Sequence, residues 1–507
     1  MRRIALITLC IALWSVPLLI GEVTLPKIFG SHMVLQREQP MHFWGDGTPG
    51  ETVTVEFNRS SGTAAVDTLG RWSVYLPAQA AGGPYTLTVR GTNTIALDDI
   101  LVGDLWFASG QSNMEMPLSG FPGSAVLKDG AKEIREANHP DIRLLVVGRK
   151  GSAYPLEDAA AVTPWARCSP DSAKDFSAVA YFFGRSIEEH EKVPVGLIDS
   201  TWGGTPAESW TSLGALSADA GLMPVFAARA AMIEREPNAM RADAAALRAK
   251  ARGLPAPKKD WHPDLVSYEP AALYNAMIAP FTKLPIRGVI WYQGETNSAL
   301  NRAPLYGKLF PALIQDWRRQ WQEGDFPFLF VQLAGFTSTE KEDWPTIREA
   351  QRMTLSLRNT GMAVAVDVGA ADNVHPPDKQ TVGERLALWA RSLSYGENVP
   401  HSGPLFRQAV PLHNSMQVEF DHADGLNAHG GALRGFEVAG ADRIFSEANA
   451  MIVSKNTKGE TLSVSSPAVA SPLYVRYAWR NFPEANLYNK VGLPASPFTS
   501  LPTASPR

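Results

Sequence analysis

The sequence predicts an α/β protein: a parallel sheet covered on both faces by helices, with a β-rich region on either side of it in the chain. Three observations lead there. From about residue 100, short and nearly continuous apolar runs recur, among them "ILVGDLWFA", "IRLLVV", "VPVGLID", "IRGVIWY", "FPFLFVQL" and "GMAVAVDV". Runs of that kind are strands buried on both faces. Helical stretches such as "FSAVAYFFGRSIEEHEK" and "YGKLFPALIQDWRRQWQ" separate several of them, and strands alternating with helices build a parallel sheet. Outside this block the period changes to two, as in "TVTVEF", "RWSVYL", "SMQVEF" and "LYVRYAW", which is the pattern of half-buried strands.

Taken in order, the chain opens with Met1-Arg2-Arg3 and the apolar stretch "IALITLCIALWSVPLLIG". A basic start and an apolar run broken by Pro17 make residues 1–21 a secretory signal peptide, with cleavage expected at Gly21–Glu22. The alternative is an N-terminal membrane anchor. Leu9 before Cys10 is too large for a lipoprotein site, and no later segment is apolar enough to span a bilayer. Residues 22–99 carry short strands separated by "GDGTPGE", "TLGR" and "AGGP", which read as a small β-sandwich. Residues 100–396 hold the parallel sheet. Within them, 217–253 are rich in Ala and Arg and read as a helical excursion broken near Pro237. Residues 397–507 return to β and end in a Pro/Ser-rich tail.

Composition narrows the function classes. The chain has 507 residues, 45% hydrophobic and 19% charged, with a net charge of −4. That is a folded protein too long for one hydrophobic core. No cluster of Lys and Arg offers a face to nucleic acid. Only Cys168 remains beyond the leader, so an exported chain has no internal disulfide. Cys168 lies in the polar context "WARCSPDSAKDF" and reads as an incidental or buried thiol. There is no H-E-x-x-H, C-x-x-C, Walker A or G-x-G-x-x-G helix opening, so no metal, nucleotide or other cofactor is implied.

One strand end asks for chemistry. "WFASGQSNMEMP" (Trp106 to Pro117) delivers a single serine, Ser112, to the edge of a sheet where ligand loops collect. A nucleophilic serine needs a base, an orienting acid and oxyanion donors. His375 follows the last strong strand of the block, in "DVGAADNVHPPDKQTVGERLALWARSL", and Pro376 and Pro377 stiffen its loop. Asp372, three residues earlier, is placed to orient the imidazole, with Asp367 as the other candidate. Gly203 and Gly204 in "LIDSTWGGTPAESW" allow a backbone N–H to approach a ligand. Gln293 in "VIWYQGETN" supplies a side-chain amide, and Glu295 and Asn297 add polar groups beside it. Trp202, Trp210, Trp291 and Tyr292 offer flat faces to a sugar ring or, alternatively, pack the core. Met114 departs from the G-x-S-x-G elbow of α/β-hydrolases.

These blocks resemble the sialate O-acetylesterase-like family of SGNH hydrolases. The likeness is carried by "SGQSNMEMP", "WGGTPAESW", "WYQGETN" and "HPPDKQTVGERLALWA", with "VLQREQPMHFWG" and "GFEVAGADRIFSEANAMI" at the two ends. The resemblance implies an SGNH-hydrolase-type sheet and an exported esterase, periplasmic or secreted, that removes O-acetyl groups from sugars, either sialic acid or plant polysaccharides such as xylan and xyloglucan. By position, Ser112 matches the family nucleophile, His375 its base, and Gly204 and Gln293 its oxyanion positions. Ser112 N–H is expected to complete the oxyanion hole, and Trp202 and Glu295 to contact substrate. Many relatives lack a dependable acid three residues before the histidine, which leaves Asp372 and Asp367 as alternatives. Larger relatives carry an extra β module where this chain has the short helical stretch after Trp210. The competing function class is a non-catalytic carbohydrate-binding protein on the same fold.

Overall fold

The structure is a computed structural model that describes residues 22–123, 125–235, 237–255, 264–456 and 459–502. The expected signal peptide, 1–21, lies outside the described residues. Among those described, no helix is long and apolar enough to cross a membrane.

The central sheet has seven strands: β1 (Thr94–Gly110), β2 (His139–Val146), β3 (Ala166–Cys168), β4 (Val195–Thr201), β5 (Gly288–Tyr292), β6 (Phe328–Gln332) and β7 (Thr360–Val364). Their order is β7-β6-β5-β1-β4-β2-β3. All neighbours are parallel except β3, which pairs antiparallel with β2. From β1 the chain runs to β2 and β3 on one side, returns through β4 next to β1, and crosses to β5, β6 and β7 on the other side, so the order reverses at β1. The loops at the carboxyl ends of β1 and its two neighbours, β4 and β5, enclose a crevice of the kind that binds ligands in such sheets.

Consecutive residues of β1 show how the sheet is covered. Trp106 and Phe107 point to opposite faces, as the period of a strand requires. Trp106 meets Phe183 of α2 (Ala178–Glu191), ring centres 4.9 Å apart, edge to face. Phe107 meets Trp317 of α3 (Ala303–Trp321) at 6.1 Å. α4 (Trp344–Thr354) packs beside α3, and α5 (Lys379–Tyr395) beside α2. Both rings on β1 are fully buried, and each such burial contributes about 1.5–3 kcal/mol. The helix starts are set locally. Ser177 caps α2 by accepting from Ala180 N–H, and Asp378 caps α5 by accepting from Thr381 N–H at 3.0 Å.

The expected boundary at 99/100 falls inside a strand. β1 is 17 residues long, and its first half pairs antiparallel with Gly82–Arg90 of the N-terminal β region. Its second half is the centre of the parallel sheet. The buried carboxylate of Asp104 sits where the two meet; it accepts from Arg37 Nε and from Tyr395 at the end of α5, each at 2.9 Å. The helical excursion folds as helices Pro224–Arg235 and Pro237–Ala251.

After α5, two four-stranded antiparallel sheets enclose a separate core that includes Val418, Phe420, Val438, Val464, Val475 and Phe498. Arg348 of α4 fastens this region to the parallel-sheet block. Its fully buried guanidinium donates to the carbonyls of Leu333, Ala334, Arg480 and Asn481 at 2.7–2.8 Å.

Candidate active site

The turn after β1 is forced by close backbone approach. Gly110 has φ 134°, and a Cβ there would stand 2.2 Å from Tyr292 O. Gln111 N–H donates to the same carbonyl at 3.0 Å. Glycine lets the chain leave the sheet abruptly and begin the one-turn helix α1 (Ser112–Glu115). Ser112 is therefore the first helical residue, half-buried at the crevice, and its backbone N–H has no intrahelical acceptor.

His375 reaches this serine from the loop between β7 and α5. Its Nε2 lies 2.9 Å from Ser112 Oγ. The edge of Phe121 packs against the imidazole, ring centres 5.1 Å apart. His375 N–H donates to Asn373 Oδ1 at 2.9 Å, which closes a local turn. Burial, and then the charge of Lys379, pull the imidazole down to about 4 from its ordinary value. At neutral pH it is therefore uncharged, the form that accepts a proton.

Asp372 and Asp367 do not reach the imidazole. Asp372 is exposed, with no hydrogen bond or ion pair to any described residue. Asp367 is held in a bidentate pair by Arg385, at 2.6 and 2.7 Å, and accepts from Tyr488. The structure thus brings together a serine and a histidine, without a carboxylate on Nδ1 among the described residues.

Gly203 and Gly204 follow β4 and lie against the serine. A Cβ on Gly203 would meet Ser112 Cβ at 3.2 Å, and its N–H is taken by Glu115, which also pairs with Arg149. Gly204 has φ 74°, a left-handed conformation that glycine adopts without penalty. Its N–H meets no acceptor among the described residues. Gln293 is differently committed. It is fully buried and its amide donates to Thr205 O at 3.2 Å and Asn297 Oδ1 at 2.7 Å, while its Oε1 accepts from Tyr306. Both amide hydrogens are spent inside the scaffold. Asn297 extends the network to Glu208, which Arg302 pairs. The "PAES" and "QGETN" segments thereby lock to one another and fix the Gly203–Gly204 turn.

Of the aromatic residues expected near sugar, Trp202 is half-buried beside this turn. Trp210, Trp291 and Tyr292 are fully buried. Trp291 is edge-on to Trp210 and Trp317 at 6.2 and 5.7 Å, so these rings pack the core and present no face to a ligand. Glu295 is also buried, and Asn113 Nδ2 donates to its Oε1 at 2.5 Å. Burial raises its carboxyl above the usual range. Cys168 is buried and its thiol pushed up to about 12, too high for a nucleophile at neutral pH. No group of three or more His, Cys, Asp or Glu able to hold a metal occurs among the described residues.

Sequence reading missed Asn113 and Lys379. Asn113 donates to Glu295 and, at 3.0 Å, to Val374 O beside His375. Lys379 Nζ donates to Asn113 Oδ1. The available signal was a lysine in the first turn of α5, four residues after the histidine.

Comparison with known proteins places the chain in a family. A family model described as carbohydrate esterase, sialic acid-specific acetylesterase matches residues 220–391. The sialate O-acetylesterase of Pongo abelii is 32% identical over 520 residues, covering 93% of this chain and 91% of its own. That of Mus musculus is 31% identical, covering 92% of each. The crystal structure of a carbohydrate acetylesterase from Xanthomonas citri superposes with a TM-score of 0.81 at 37% identity, covering 94% of this chain and 99% of that one. The chain belongs to the sialate O-acetylesterase family of carbohydrate esterases.

Proposed function

We propose that the protein removes O-acetyl groups from carbohydrates by two-step acyl transfer, with Ser112 as nucleophile and His375 as its base. The 2.9 Å contact between Ser112 Oγ and His375 Nε2 carries this reading. His375 takes the hydroxyl proton as Oγ bonds to the acetyl carbon. The carbon–oxygen bond to the sugar then breaks, and His375 returns the proton to the sugar oxygen. Water, deprotonated by the same imidazole, then bonds to the acetyl carbon; the bond to Oγ breaks, His375 returns the proton to Oγ, and acetate leaves. The backbone N–H groups of Ser112 and Gly204 are the oxyanion donors. Gln293 supports them by holding the turn after β4, since its own amide hydrogens are already used. Asp372 has no assigned role in this scheme, and the imidazole is held by Phe121 and by its own turn.

The substrate is an acetylated sugar lying over the rim beside Trp202, either acetylated sialic acid or an acetylated plant polysaccharide such as xylan or xyloglucan. The basic and apolar start of the chain supports export, to the periplasm or the medium. Acetate release measured on acetylated sialic acid, xylan, xyloglucan and mannan, with Ser112→Ala as control, tests the reading. Release from at least one sugar that disappears in the variant is expected. Equal release by the variant overturns the assignment of Ser112.

A further inference from the structure

A buried lysine lies beneath the reacting pair, and the acyl transfer written above does not use it. Lys379 is fully buried at the start of α5. Its ammonium stands 5.4 Å from the ring centre of Tyr292, over an aromatic face that attracts cations. Two costs attend this placement. An ammonium out of water is unfavourable, and the N-terminal end of a helix repels positive charge. Asn113 Oδ1 and the nearby Glu295 carboxyl offset only part of those costs, and burial still lowers the lysine to about 7.

The same contacts join the site. Asn113 directly follows Ser112 in sequence, and its amide donates to Glu295 on the turn after β5 and to Val374 O on the histidine loop. Only the oxygen end of an amide accepts from an ammonium. Lys379 therefore dictates which way the Asn113 amide faces, and so which groups it clamps.

We propose that Lys379 is the positioning residue of the Ser112–His375 pair: its Nζ orients the Asn113 amide, and that amide clamps the histidine loop to the nucleophile turn. The proposal rests on the Ser112–His375 reading above. The other titratable groups on the elements around His375 are partnered or exposed. Glu115 on α1 is paired with Arg149. Glu295 is bonded to Asn113. Asp378 caps α5 and pairs with Lys128 at 3.2 Å. Asp372 is exposed on the histidine's own loop.

The test uses the full chain and p-nitrophenyl acetate, with kcat, KM and the pH profile of kcat/KM read for Lys379→Met, Lys379→Arg, Asn113→Ala and Ser112→Ala. Lys379→Met is expected to lose about a hundredfold in kcat, as misplacement of reacting groups does, with KM nearly unchanged. Its acid limb should move to higher pH, because removing a positive neighbour makes the imidazole easier to protonate. Lys379→Arg should leave the acid limb in place, since the charge remains. Asn113→Ala should lower kcat about tenfold or more without moving the acid limb, because it removes the clamp and keeps the charge. If Lys379→Met keeps kcat within about threefold and its acid limb is unmoved while Ser112→Ala is dead, the positioning role is wrong. If Lys379→Met does not fold by circular dichroism, Asn113→Ala decides: the stated loss supports the role, and wild-type kcat overturns it. Full activity in Ser112→Ala instead strikes the Ser112–His375 reading itself.

Discussion

Ser112 and His375 meet through one hydrogen bond at the half-buried mouth of the crevice, whereas Gln293, Asn297, Glu208 and Arg302 share a chain of bonds in the buried floor behind it. Both groups sit on strand-end loops of one sheet. The proposed reacting groups keep free valences: among the described residues the Ser112 hydroxyl has only the one hydrogen bond, and the imidazole, its pKa held down by burial, is lightly partnered. The floor has almost none, because each buried polar atom left unpaired costs about 1–3 kcal/mol. Polar motif residues thus divide into a few with spare bonds, to which the proposed proton transfer falls, and many whose bonds are spent holding shape.

The largest effect that tests this division is Ser112→Ala. Hydrolysis of p-nitrophenyl acetate should fall at least about a thousandfold while circular dichroism and the melting temperature stay those of the parent. Next, His375→Ala should match that loss, and the double variant should be scarcely slower than either, because the two groups act as one unit. Losses that multiply would separate the pair.

The pH profile sharpens the same contrast. With His375 pulled down to about 4, kcat/KM should stay level from neutral pH into mild acid. It should then fall about tenfold per unit once the imidazole protonates below that value. An acid limb near the ordinary histidine value would show that burial does not hold the base neutral. For the floor the readout changes. Asn297→Ala should lower the unfolding free energy by roughly 1–3 kcal/mol in urea denaturation, with a smaller loss of activity than Ser112→Ala, since it leaves the Ala207 N–H, one amide hydrogen of Gln293 and one oxygen of Glu208 without a partner. The smallest effect is expected from Asp372→Asn, under about threefold in kcat. A loss of two or more orders of magnitude would restore it as the orienting acid.

Which features were legible follows from whether they depend on pattern or on long-range placement. The parallel strands were legible because burial on both faces writes unbroken apolar runs. The nearness of Ser112 to His375 could be expected because each stands alone at the end of such a run, and the structure sets them 2.9 Å apart. Asp372 misled because a three-residue offset says nothing about direction. Asn373 takes the His375 N–H, and that turn sends Asp372 to solvent. Gln293 looked like an oxyanion donor, but its hydrogens are claimed by Thr205, 88 residues away in the chain, and by Asn297. Lys379 was hidden because a lysine in a helix's first turn ordinarily points to water. Trp210, Trp291 and Tyr292 could be read either way from sequence, and burial decides for packing. The expected break at 99/100 marks a change of surroundings along β1, from one exposed face to two buried ones, and not the end of a strand.

That uninterrupted strand links folding in one region to catalysis in the other. Seventeen residues at about 3.3 Å each make a rod of about 55 Å. Its first half is gripped by the N-terminal β region, and Ser112 stands just past its far end. A slip of one residue anywhere along it would turn every side chain to the opposite face, so the ladder at Leu87–Leu97 and the position of the serine share one register. An enzyme trimmed to begin at residue 100 would thus lose the partner strand that sets this register. Leu101–Gly103 would also lose their pairing with Val34–Gln36, and the shortest stable fragment is expected to include the N-terminal region.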